Sequence, residues 1–99
     1  MNQAVERIAE LRSRIDALDK TLVKLLNERA RLALDIGSLK HAAGEAIYQP
    51  AREADVLANA RKASTGPLGD DAILRLWERI IDETRRLERL AVLESEKQQ

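Results

Sequence analysis

Residues 5–43, VERIAELRSRIDALDKTLVKLLNERARLALDIGSLKHAA, run without a proline and with Gly37 as their one weak point, so they read as a single long helix. Every seventh residue from Ile8 gives Ile15, Leu22, Arg29 and Ile36, and the set three residues on gives Leu11, Leu18, Leu25, Leu32 and Leu39. That is a heptad seam. Arg29 is the one charge inside it, and a guanidinium among leucines calls for a matching anion, because burying it unpaired costs several kcal/mol or more. Lys40 follows eleven residues later, which at about 100° per residue is three turns and within roughly 20° of the same face. Two cations therefore look toward one interior.

Beyond the helix, Gly44 is placed to take the left-handed position that closes many helices. A short loop from Glu45 to Gln49 leads to Pro50, which suits the first turn of a second helix reaching about Ala63. Ser64-Thr65-Gly66-Pro67-Leu68-Gly69 concentrates chain breakers and reads as a loop, after which Asp70 or Asp71 is the expected N-cap of a third helix. Its apolar positions, including Ile73, Trp77, Ile80, Ile81 and Leu87, keep the helical period to about Leu93, and Thr84 and Glu88 fall on the same stripe. The polar tail from Glu94 is expected to fray. The expectation is an all-α fold with helices at about 5–43, 50–63 and 70–93, in a single domain spanning residues 1–99.

Composition excludes several classes of function. The 99 residues carry 17 basic and 17 acidic side chains, so no net charge draws the chain to nucleic acid or to a membrane. There is no cysteine and only one histidine, His41, which leaves no thiolate nucleophile and no multi-histidine metal site. No metal or cofactor is expected. The charged N-terminus and the lack of a long apolar run point to a cytoplasmic protein.

Helix length decides the assembly. At about 1.5 Å per residue the first helix is roughly 60 Å long, against a radius of gyration of about 13 Å for a compact chain of this size. The two shorter helices line one side of it at most, and the remaining apolar surface needs a second copy of the chain. An intertwined homodimer, long helix against long helix, is the expected architecture.

The chemistry lies in polar residues that interrupt apolar faces: Arg29 and Lys40 on the first helix, Arg52 and Glu53 at the start of the second, Thr84 and Glu88 four apart on the third. Two or three cations of this kind hold a small dianion, arginine by a bidentate fork and lysine as a movable point charge. Glu53 is suited to accept a hydroxyl proton and Thr84 to donate to a carboxylate. The sequence has no glycine-rich phosphate loop, no nucleotide fingerprint and no Ser-His or Cys-His motif. The reaction needs neither nucleophile nor cofactor.

Leu11-Arg12-Ser13-Arg14-Ile15-Asp16-Ala17-Leu18-Asp19, then Leu25-Leu26-Asn27-Glu28-Arg29, Ile36-Gly37-Ser38-Leu39-Lys40, Arg52-Glu53 and Ile80-Ile81-Asp82-Glu83-Thr84-Arg85 through Glu88 together resemble the all-α chorismate mutases of the AroQ class. The resemblance covers nearly the whole chain. It implies conversion of chorismate to prephenate in phenylalanine and tyrosine biosynthesis, without a cofactor. By position it implies that Arg12, reaching in from the other subunit, and Arg29 hold the two substrate carboxylates. Lys40 and Glu88 correspond to residues that bond the ether oxygen, Glu53 to the acid on the ring hydroxyl, Arg52 to a supporting residue and Thr84 to a carboxylate ligand. Gln49 stands where an acidic residue can occur, so its contact to the hydroxyl is either absent or made by backbone. Glu88 replaces a neutral glutamine found in other members, which bears on the pH range. Arg12 lies 28 residues from Lys40, about 42 Å along a straight helix, so the two can share a site only across a dimer.

Other readings stay open at this point. An isochorismate–pyruvate lyase shares the same binding logic, and a helical dimer could serve as a regulatory module for a partner enzyme of aromatic biosynthesis. Taken singly, Arg29 could be a register device, Lys40 a favourable charge at a helix C-terminus, and Glu88 a partner of Arg85.

Overall fold

The computed structural model describes residues 2–98, with three helices and no strand among them: α1 (Gln3–Ala42), α2 (Pro50–Ala63) and α3 (Asp70–Lys97). Among the described residues, no helix is long and apolar enough to cross a membrane. The chain divides into two compact units, one up to Leu32 and one from Ala33 onward.

From Gln3 onward the first unit is helix. Its seam residues Ile15, Leu18, Leu22 and Leu25 are between 52% and 62% exposed, and only Arg29 and Ala30 are half-buried. Regular apolar spacing has thus produced the helix, and no other described element of this unit covers its apolar stripe.

The second unit holds the end of α1 together with α2 and α3, and its core is small: Ile73 and Ile81 are each 8% exposed, and Gly37 is buried. α2 packs on α3. Local chemistry sets the helix boundaries. Gly44, at φ 74°, ends α1, with Glu45 N–H donating to the Lys40 carbonyl at 2.8 Å and Gly44 N–H to the His41 carbonyl at 3.1 Å. This is a Schellman closure, in which a left-handed glycine lets the last amides turn back onto orphan carbonyls. Pro50 opens α2, and Gln49 before it is held extended (φ −128°, ψ 96°), because a residue preceding proline is barred from the helical region.

Two expectations about α3 are corrected. Its N-cap is Gly69, extended and without a side-chain cap, while Asp70 and Asp71 both enter the first turn, where carboxylates favour the positive end of the helix dipole. The helix also runs past Leu93 to Lys97. Residues 94–97 contain no glycine or proline, and Lys97 favours the negative end of the dipole, so loss of the apolar stripe does not end the helix.

Candidate functional site

Of the polar residues singled out above, Arg12 (exposed) and Arg29 (half-buried) belong to the first unit. The other six, Lys40, Gln49, Arg52, Glu53, Thr84 and Glu88, belong to the second, where all except Arg52 are half-buried. These half-buried polar side chains make the surface where the end of α1 and the start of α2 face the interior of α3 the candidate place for chemistry.

Glu53 sits in the first turn of α2, one helix away from Arg85 on α3. Its Oε2 is 3.3 Å from the Arg85 Nε, with the two side chains 23% and 27% exposed. That Nε is buried and forms no hydrogen bond of regular geometry, so the Glu53 contact is a charge pair rather than an aligned bond. Arg85 Nη2 donates to Asp82 Oδ1 at 2.9 Å, and the guanidinium lies over the Tyr48 ring at 4.9 Å from its centroid. One arginine on α3 thereby engages the first turn of α2 and the loop that carries Gln49.

Glu88 lies against the end of α1. A Cβ built on Gly37 would stand 3.0 Å from its Oε2 and 3.3 Å from its Cγ, so a side chain at position 37 would crowd the Glu88 carboxyl by a few tenths of an ångström. A groove of about 120 Å³ opens beside it, lined by Gly37, Ser38 and His41 from α1 and by Glu88, Val92 and Ser95 from α3. Lys40, half-buried, is three residues beyond Gly37 on α1. Thr84 Oγ1 donates to the Ile80 carbonyl at 2.7 Å, the back-bond usual for threonine inside a helix. Donating to a ligand carboxylate requires that hydroxyl to turn away from Ile80.

The residues 11–89 match the family model described as chorismate mutase type II. The chain belongs to the chorismate mutase type II family. A chorismate mutase from Helicobacter pylori, solved in complex with prephenate, superposes with a TM-score of 0.81 at 29% identity, covering 88% of this chain and 94% of that one. The bifunctional chorismate mutase/prephenate dehydratase of Neisseria gonorrhoeae is 38% identical over 90 residues, which make up 90% of this chain and 24% of that protein. The chain thus spans about a quarter of the length of such bifunctional curated relatives. A 4-amino-4-deoxychorismate mutase from Streptomyces pristinaespiralis is 38% identical over 86 residues, covering 86% of this chain and 67% of that one.

Three residues that touch the candidate site residues were not assigned a place among them from the sequence. Arg85 carried a readable signal, because it falls four residues after the buried Ile81 and so interrupts an apolar stripe as Arg29 does. Tyr48 and Gly37 carried none, since a tyrosine in a loop and a glycine in a helix have many ordinary explanations.

Proposed function

We propose that the chain catalyses the rearrangement of chorismate to prephenate, with residues 1–99 acting as one chorismate mutase domain. The observation that supports this most is its likeness, over 88% of the chain, to a chorismate mutase solved with prephenate. The carbon–oxygen bond of chorismate breaks ahead of carbon–carbon bond formation, so negative charge grows on the ether oxygen, and a cation or neutral donor already in place there lowers the barrier. On this reading Lys40 meets that charge, joined by Glu88 as a carboxylic acid. Arg29 and Thr84 take carboxylates of the substrate, while Glu53, supported by Arg52 and Gln49, accepts the ring hydroxyl. Holding both ends keeps the flexible side chain in its reactive conformation, so that ordering entropy is lost at binding rather than at the barrier.

The same reading makes the protein a homodimer in which Arg12 acts in the partner's site. The exposed seam of the first unit supports this, since leucines and isoleucines more than half exposed along one face need a covering surface. A partner enzyme of aromatic biosynthesis fits as well, supported by relatives that carry a prephenate dehydratase name beside the mutase name. The test is to add chorismate to the purified protein and follow its loss together with the appearance of prephenate, with sedimentation at micromolar concentration to read the oligomer. No conversion by a folded dimer would overturn the reading, and release of pyruvate from isochorismate would replace it with a lyase.

A further inference from the structure

We propose that Arg85 makes the site selective for a neutral hydroxyl, against a protonated amine, at the ring position that Glu53 receives; the proposal rests on the mutase reading and adds a specificity residue to it.

The argument starts from how the guanidinium is held. Arg85 is anchored from three sides: by the Tyr48 ring at 4.9 Å, by Asp82 at 2.9 Å and by Glu53 Oε2 at 3.3 Å. A cation held in this way adds a fixed positive charge beside the Glu53 carboxylate, and with both side chains only about a quarter exposed, water screens the pair incompletely. Asp82 is 59% exposed, so its charge is largely screened. Arg52, next to Glu53 in the chain, is exposed and on a helix points about 100° away from it, so its charge adds little there, and Gln49 adds none.

A hydroxyl arriving here needs one acceptor, and the carboxylate of Glu53 has a second oxygen for it. The guanidinium takes no part in that bond and does not oppose a neutral group. An alkyl amine, by contrast, is a cation at neutral pH. It would bring a positive charge beside a guanidinium that already compensates the Glu53 carboxylate, and it has three donors to satisfy where a hydroxyl has one. The guanidinium, by neutralising Glu53 and by opposing a second cation, therefore distinguishes two substrates of nearly the same shape by charge. This is discrimination by an unfavourable contact with the wrong ligand.

The experiment compares kcat/KM for chorismate and for the same ring bearing an amino group in place of the hydroxyl, using wild type, Arg85→Met, Arg85→Gln and Arg85→Lys. Wild type is expected to prefer the hydroxyl compound by more than about tenfold, and the two uncharged variants to move the ratio toward the amine by about tenfold or more. Lysine at position 85 retains the cation and should keep the wild-type ratio even where both rates fall. Since a structural lesion lowers both rates together, an unchanged ratio in folded, active Arg85→Met and Arg85→Gln overturns the proposal while leaving the mutase reading intact. Loss of fold in both would likewise assign Arg85 to stability and overturn it. Failure of wild type to convert chorismate at all would sink the underlying reading instead.

Discussion

Replacing Gly37 with alanine sets a gain in helix stability against a loss of catalytic geometry. Alanine is favoured over glycine inside a helix by about 1 kcal/mol. Against this, the added Cβ would stand 3.0 Å from Oε2, 3.3 Å from Cγ and 3.4 Å from Cδ of Glu88. Those distances are short enough that Glu88 has to turn, and because the clash reaches back to Cγ, rotating the carboxylate alone does not relieve it. Turning a side chain by about 30° off its rotamer costs about 0.5–1.5 kcal/mol, so the two terms nearly cancel. The melting temperature should stay within a few degrees of wild type, given that 1 kcal/mol is worth about 4–8 °C in a domain of this size. The rate has no such compensation. A displacement of about 1 Å can cost 10²-fold, so a few tenths of an ångström to 1 Å at the Glu88 carboxyl should lower kcat by about tenfold or more. The assay is kcat and KM with chorismate together with thermal unfolding, repeated in a Glu88→Ala background. There the clash is gone, so Gly37→Ala should stabilise the protein by about 0.5–1 kcal/mol and take nothing further from the rate. A fully active Gly37→Ala enzyme, or one that loses the same factor in both backgrounds, would refute the reasoning.

Other outcomes follow from the same site. Lys40→Ala should lose about 10²-fold or more in kcat with its helical circular dichroism unchanged; near-full activity would remove Lys40 from the ether oxygen. Mixing inactive Arg12→Ala and Lys40→Ala chains should restore activity through heterodimers having one intact site, and no recovery after demonstrated subunit exchange would count against a shared site. On the proposed mutase reading only a protonated Glu88 can donate to the ether oxygen, so its contribution should be present at acid pH and fall as pH rises. Glu88→Gln, a permanent neutral donor, should flatten the kcat/KM profile between about pH 4.5 and 8.5, and a decline with an unchanged midpoint would exclude Glu88 as the titrating group.

What this sequence determined alone is what depends on neighbours along the chain. Apolar spacing gave α1 its length, Gly44 its end and Pro50 the start of α2, because helical period, left-handed glycine and fixed proline φ act over a few residues. The family pattern likewise runs along the chain, so the eight polar residues could be named before any coordinates. The N-cap of α3 was misread even locally, since Gly69, Asp70 and Asp71 are all acceptable there and their propensities differ by less than packing decides. Tertiary structure was needed for contacts between helices. Glu53 and Arg85 are 32 residues apart, and Gly37 and Glu88 are 51 apart. Whether such pairs meet depends on how far one helix is slid and turned against another, and a shift of one residue turns a side chain by about 100°. Gly37 read as a weak point in a helix from the sequence; packing against α3 gives it a reason, since a Cβ there would stand in tight contact, 3.0–3.4 Å, with the end of the Glu88 side chain.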